Sequence, residues 1–266
     1  MGSGSATISS DVIAQRFALL RSTGRKAFVP YVTAGHPDRM RSVALLQGLE
    51  HAGADVVEVG VPFSDPLADG EVIQASSQIA LDLGIRFDQV LEIVAEARLS
   101  IPVVLFSYLN PLIRGGADAL QRAADAGVHG VLVTDLPLGA DRQREEWFAG
   151  SPLSFIRLVA PTTPVQRMAE IARTGSGFVY LISRLGVTGE RAELPPELPE
   201  TAARLRTATD LPICIGFGIS KPEQARTVAA IADGVIVGSA LVRAANESVE
   251  AALSLASALR RGIDGN

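Results

Sequence analysis

The chain has 266 residues, of which 47% are apolar, 20% charged and 5% aromatic, enough apolar material for a sizeable core and against a disordered chain. Its net charge of −5, with only Lys26 and Lys221 as lysines and no basic block, does not indicate nucleic acid as the main ligand. One cysteine, Cys214, excludes an internal disulfide framework and suits a reducing compartment.

Residues 1–10 are small and polar, without the basic and apolar regions of a signal peptide. No apolar run approaches the ~18 residues that a membrane crossing needs, so a cytoplasmic protein is expected. Residues 8–20 read as a helix ahead of the first strand, placed to cap one end of the fold. A β-branched and aromatic run over 28–33 is the first strand, and Met40, Val43, Leu46 and Leu49 follow at helix spacing. Pro37 is placed for a first helical turn, as are Pro164 and Pro222 further on. The second strand, after Gly53, runs through Val56 and Val57 to Glu58, and a helix carrying Val90, Ile93, Val94 and Ala97 comes later. Further strands are expected at 101–106, 127–133, 155–159, 178–182, 211–216 and 233–238, those at 101 and 211 introduced by proline.

These eight strands are short and mostly apolar instead of alternating, the pattern of a parallel sheet buried on both faces. Strands alternating with helices over this length favour a closed (β/α)8 TIM barrel over an open doubly wound sheet. The expected architecture is one domain, 1–266, with an extra N-terminal helix and extended loops after strands 2 and 6. In a barrel the C-terminal strand ends meet at one mouth, which gathers Thr33, Glu58, Tyr108, Asp135, Tyr180, Gly216 and Gly238.

The segment 58–70, EVGVPFSDPLADG, is the most informative. Stripping water from a carboxylate costs several kcal/mol unless the group is paired or neutralised, so an acid ending an apolar strand is unusual. Glu58 with Asp65 and Asp69 in a rigid loop reads as acid–base machinery, or as a solvated strand end followed by an ordinary turn. Strands 7 and 8 exit through Gly216–Phe217–Gly218 and Gly238–Ser239. Loops at those places form the habitual phosphate site of a barrel, although glycine also simply ends a strand tightly. The long segment from Ser183 through Arg184, Gly186 and Gly189 to Pro199 reads as a lid or as a surface excursion.

Tyr31–Val32–Thr33, the 58–70 segment, Tyr180 with the RLGVTG stretch at 184–189, and the glycine ends of strands 7 and 8 together resemble the tryptophan synthase alpha-chain family. The resemblance covers almost the whole chain, and the VPFSDPLADG segment is highly specific. It implies retro-aldol cleavage of indole-3-glycerol phosphate to indole and glyceraldehyde 3-phosphate, in L-tryptophan biosynthesis. Elimination agrees with it. A Schiff-base aldolase needs a lysine at the mouth, whereas Lys26 precedes strand 1 and Lys221 follows the glycine loop. His36, His51 and His129 show no metal-ligand grouping.

Carried over by the resemblance, Glu58 is the principal acid–base residue and Asp69 the carboxylate that accepts the indole N–H. Tyr31, Leu132 and Phe217 wall the indole pocket, Phe28 either joins them or belongs to the barrel core, and Tyr108, Tyr180 and Thr188 adjoin the substrate and lid. Gly189, Gly218, Gly238 and Ser239 form the phosphate cradle. The chain itself would hold no metal or cofactor. Asp65 and Asn110–Pro111 resemble the surface that docks a pyridoxal-phosphate (PLP) beta subunit, implying an alpha2-beta2 heterotetramer. His36, where several members have Asp, and Leu185, in place of a small polar residue, depart from the pattern. A free-standing lyase and a catalytically silent, phosphate-binding activator of a PLP partner remain as alternatives.

Overall fold

Short β-branched and aliphatic runs form eight parallel strands: β1 (Ala27–Thr33), β2 (Val57–Gly60), β3 (Val103–Ser107), β4 (Gly130–Val133), β5 (Ser154–Val159), β6 (Val179–Ile182), β7 (Ile213–Gly216) and β8 (Gly234–Val237). Each pairs with the next and β8 returns to β1, closing a TIM barrel. The structure is a computed structural model that describes residues 11–183, 194–216 and 218–265.

Helices fill every crossover. α1 (Val12–Ser22) precedes β1, and α2 (Arg39–His51) follows it. α3 (Glu71–Asp82) and α4 (Phe87–Ala97) lie between β2 and β3; α5 (Leu109–Arg114) and α6 (Ala119–Asp125) lie between β3 and β4. α7 (Arg142–Ala149), α8 (Val165–Arg173), α9 (Leu198–Ala208) and α10 (Pro222–Ile231) occupy the next four crossovers, and α11 (Ser239–Glu247) and α12 (Val249–Asp264) follow β8. No described helix is long and apolar enough to cross a membrane.

Strand alternation splits the core into two layers. On β1, Ala27, Val29 and Tyr31 join the inner cluster that fills the barrel, while Phe28 and Val32 face the helices. The inner layer continues with Val104 and Phe106 of β3, Leu132 of β4, Tyr180 of β6 and Cys214 of β7. Ile13, Phe17 and Leu20 of α1 join it at the N-terminal strand ends, where Phe17 packs on Phe178 with ring centroids 5.6 Å apart. The expected extra helix is therefore the barrel's bottom plug.

A buried ion network seats that plug. Asp55, fully buried just before β2, accepts from Arg16 of α1 at 2.7 Å and from Arg260 of α12 at 2.9 Å. Its second oxygen also takes the Phe28 N–H at 3.0 Å. One carboxylate thus ties both terminal helices to the first two strands.

Two expectations about α2 are corrected. Pro37 stands outside the first turn, because Asp38 supplies the N-cap and its side chain accepts the Arg41 N–H at 2.8 Å. Met40 is 82% exposed, since the inward stripe is Val43, Leu45, Leu46 and Leu49 and one further turn back the helix has left the core. Pro164 is the N-cap of α8 and Pro222 opens α10.

Candidate active site

Four-residue β2 carries Glu58 opposite Tyr31 of β1 and Val104 of β3. Glu58 is wholly buried, and neither carboxylate oxygen has a hydrogen-bond partner among the described residues. Burial raises its pKa to about 8, so the group carries its proton at neutral pH. The apolar strands around it create an acid by withholding water.

The second carboxylate arrives on the loop after β2. Asp69 is 5% exposed and stands just ahead of Gly70, the N-cap of α3. Its backbone is fixed on both sides: its N–H donates to the Pro66 carbonyl at 3.1 Å, and its carbonyl accepts from Gln74 Nε2 at 2.7 Å. Oδ2 accepts the Tyr108 hydroxyl at 3.2 Å, whereas buried Oδ1 has no partner among the described residues. Burial raises the Asp69 pKa to about 6, against the lowering pull of the Tyr108 bond, leaving it mostly ionised at neutral pH. The two acids therefore rest in opposite charge states.

Tyr108 is held in turn. Its oxygen accepts the Ala68 N–H at 2.9 Å, and its ring packs on Phe63 with centroids 5.0 Å apart. It forms the N-cap of α5, whose first N–H, that of Leu109, donates to Asp135 at 2.7 Å. Asp135 at the mouth thus anchors the backbone that carries Tyr108.

Two further tyrosines line the inner face, and each requires a glycine on the neighbouring strand. A Cβ at Gly60 of β2 would meet the Tyr31 hydroxyl, and one at Gly216 of β7 would meet that of Tyr180. Tyr31 packs edge-on against Phe106 at 5.3 Å, and Phe106 lies 6.5 Å from Tyr180. Burial raises the pKa of both hydroxyls, and the charges of Glu58 and Asp69 add to the effect on each. Both acids therefore act electrostatically on the same pair of tyrosines, and strand register sets Glu58 opposite Tyr31.

Leu132 lies in the inner cluster, fully buried. Phe28 does not wall the pocket: strand parity turns it outward into the layer beneath the helices. Gly218 follows β7 with φ +84°, and Gly238 caps α11, which begins at Ser239. As the N-cap, Gly238 supplies no side-chain acceptor to the first turn of α11, whose N-terminus lies at the C-terminal end of β8. Thr188, Gly189, Phe217 and the RLGVTG lid stretch, Leu185 included, lie outside the described residues.

Elsewhere, His36 is buried and its Nε2 donates to Asn246 Oδ1 at 2.7 Å, tying the loop after β1 to α11. Lys26 Nζ donates to the Ala232 carbonyl at 2.8 Å, at the end of the barrel opposite the mouth, and Lys221 caps α10. Among the described residues no group of three or more His, Cys, Asp or Glu is placed to hold a metal ion. Asp65 is exposed on the loop after β2, while Asn110 and Pro111 share a cavity of about 460 Å³ with Pro62, Phe63 and Ser64.

Sequence reasoning missed Ser76 of α3, which bonds Thr33 at the mouth at 2.7 Å, and the anchoring role of Asp135. A serine inside a helix carries no signal of its own. Gly60, directly after the Glu58–Val59 pair in a strand, did carry one, since glycine there marks close approach.

The family profile described as "Tryptophan synthase alpha chain" matches residues 17–261. A protein of that name from Desulfatibacillum aliphaticivorans is 46% identical over 241 residues, covering 90% of this chain and 91% of its own. The solved alpha subunit of tryptophan synthase from Legionella pneumophila superposes with a TM-score of 0.88 at 36% identity, over 96% of this chain and 99% of that one. A chain of Mycobacterium tuberculosis tryptophan synthase gives 0.87 at 36% identity, over 94% and 97%.

Proposed function

The chain belongs to the tryptophan synthase alpha-chain family, and from that premise we propose that Glu58 and Asp69 carry its reaction. That reaction is the cleavage of indole-3-glycerol phosphate to indole and glyceraldehyde 3-phosphate, the alpha step of tryptophan biosynthesis. The observation that carries the assignment is the pair of buried acids with opposed charge states around one pair of tyrosines, Tyr31 and Tyr180.

Neutral Glu58 donates its proton to C3 of the indole, and the ring nitrogen takes up the positive charge. Oδ1 of ionised Asp69 accepts the N–H and stabilises that charge in a site shielded from water. Glu58, now a carboxylate, removes the proton from the hydroxyl on the carbon attached to C3. The C–C bond breaks, its electron pair returns to the ring, and aldehyde and indole separate. Glu58 ends protonated, as it began. No metal or cofactor enters this sequence.

The remaining assignments follow the same logic. Tyr31, Leu132 and Phe217 wall the indole; Tyr108 holds Asp69; Tyr180 adjoins Glu58; Thr188 belongs to the lid. Gly189, Gly218, Gly238 and Ser239 cradle the phosphate, with the uncapped N-terminus of α11 supplying N–H groups and dipole.

Members of this family work with a beta subunit. The proposed assembly is an alpha2-beta2 heterotetramer in the cytoplasm, with pyridoxal phosphate in the partner and docking through the face of Asp65, Asn110 and Pro111. A silent activator has no use for the opposed acids, and a free-standing lyase has none for that face.

Glu58→Gln tests the assignment. It keeps the shape and removes the transferable proton, so indole release should be lost while affinity for glyceraldehyde 3-phosphate stays within a few fold. Retained turnover would remove Glu58 from the mechanism.

A further inference from the structure

The peptide unit between Tyr108 and Leu109 is gripped at both edges. Its carbonyl accepts from Ser107 Oγ at 2.8 Å, and its N–H donates to Asp135 Oδ1 at 2.7 Å. Asp135 comes shortly after β4, where the Thr134 N–H donates to the Ser107 carbonyl at 3.0 Å and carries the β3–β4 ladder past the strand ends. The barrel itself thus sets the exposed Asp135 side chain against the start of α5.

α5 needs that acceptor. It has six residues, and the first four N–H groups of any helix lack partners within it, so most of this one depends on acceptors from outside. Its N-cap, Tyr108, has extended backbone at φ −87° and ψ 162° and makes no side-chain cap bond. A serine or aspartate there would turn its oxygen back on the helix. The tyrosine sends its own side chain away, to Asp69, and the aspartate after the neighbouring strand supplies the missing acceptor.

The reach of the phenol depends on that peptide unit. The Tyr108 hydroxyl lies 3.2 Å from Oδ2 of Asp69, beyond the roughly 2.5–3.0 Å of a usual O–H···O bond, so it has little reach to spare. Phe63 packs on the ring at 5.0 Å, but apolar packing tolerates sliding better than a hydrogen bond does. The backbone must therefore fix how far the hydroxyl extends.

We propose that Asp135 is a positioning residue for the cleavage reaction: by holding the Leu109 N–H it fixes the Tyr108 backbone and so keeps the Tyr108 hydroxyl on Asp69. The inference rests on the role assigned to Asp69 above and extends it to a residue on another strand end.

The test follows indole-3-glycerol phosphate cleavage against pH. Asp135→Ala should lower kcat/KM at pH 7 about 5-fold and move the acid limb of the profile upward, because a carboxylate that loses a donor holds its proton more tightly. Besides Tyr108, charge couples Asp69 to Tyr31 of β1 and Tyr180 of β6, and Glu58 of β2 stands opposite Tyr31. Among the described residues Tyr108 is the group that hydrogen-bonds the Asp69 carboxylate, so the acid limb reports on it. Asp135→Asn keeps an oxygen acceptor while removing the carboxylate, and should recover most of the loss. In a Tyr108→Phe background, Asp135→Ala should cost little more, since the bond it protects has gone. Losses that multiply would overturn the proposal, as would an acid limb that Asp135→Ala leaves in place or an Asn variant as impaired as the Ala one. If Asp135→Ala folds poorly, Asp135→Leu, similar in shape and without an acceptor, allows the same comparison. Full activity in Asp69→Asn would instead sink the underlying role of Asp69, so the two failures are distinct.

Discussion

Tyr108 donates its hydroxyl proton to Oδ2 of Asp69 across 3.2 Å and leaves Oδ1 of the same carboxylate open. A buried carboxylate with one oxygen satisfied and one free is held in place while keeping its capacity to accept. Removing the donor raises the cost of the charge. Tyr108→Phe should push the Asp69 pKa above its value of about 6 and leave the Ala68 N–H without its acceptor. The expected result is a loss of about 10-fold in kcat/KM at pH 7, partly recovered at pH 8, measured by indole release. A uniform loss at all pH values would assign Tyr108 to packing alone.

The opposed charge states predict a bell-shaped pH profile. Asp69 must be ionised to stabilise positive charge, so kcat/KM should fall as pH drops through about 6. Glu58 must be protonated to act as an acid, so activity should fall as pH rises through about 8. Each limb belongs to a named residue: Tyr108→Phe should move the acid limb upward and leave the alkaline limb in place. A profile flat between pH 5 and 9 would contradict both assignments.

Most of this arrangement was legible in the sequence because it depends on strand order and parity. Once eight strands alternate with helices, the barrel brings Glu58, Tyr108 and Tyr180 to one mouth whatever their separation along the chain. Phe28 stayed open between pocket and core because an apolar strand buried on both faces gives no sign of which residues face inward. The Thr33–Ser76 bond was invisible for a different reason. It links β1 to α3 through side-chain geometry, and neither serine nor threonine advertises its partner. Pro37 and Met40 show the usual weakness at helix ends, where a capping side chain overrides the periodic signal.

The network below the barrel predicts a stability effect separate from catalysis. Asp55→Ala would leave the Phe28 N–H without its buried acceptor, take from Arg16 its carboxylate and leave the Arg260 guanidinium Asp264 as its one remaining carboxylate. Breaking one side of a buried ion pair costs about 3–5 kcal/mol. For a chain of this size that corresponds to a melting temperature lower by roughly 10 °C. Because Asp55 lies at the end of the barrel away from the mouth, the molecules that remain folded should cleave substrate at near the normal rate. A large fall in kcat with an unchanged melting point would mean that the network acts on the site instead.

The acid itself carries a stability cost. A carboxyl whose pKa rises from its ordinary value of 4.5 to about 8 on folding binds its proton more tightly in the folded state. Its contribution is favourable below the unfolded value and is lost progressively as pH rises through the folded one. Each tenfold change in proton affinity is worth ~1.4 kcal/mol, so at pH 8 and above, ionising the group in an apolar strand opposes folding by a few kcal/mol. Glu58→Gln removes that ionisation. The variant should therefore melt higher than the parent at pH 8.5, with the difference shrinking towards pH 5, where the folded state holds both side chains neutral and pH 5 lies close to the unfolded value of 4.5. Thermal denaturation at the two pH values measures this directly, and the substitution expected to end indole release should strengthen the fold. An equal change in melting temperature at both pH values would show that shape, not charge, separates the two side chains.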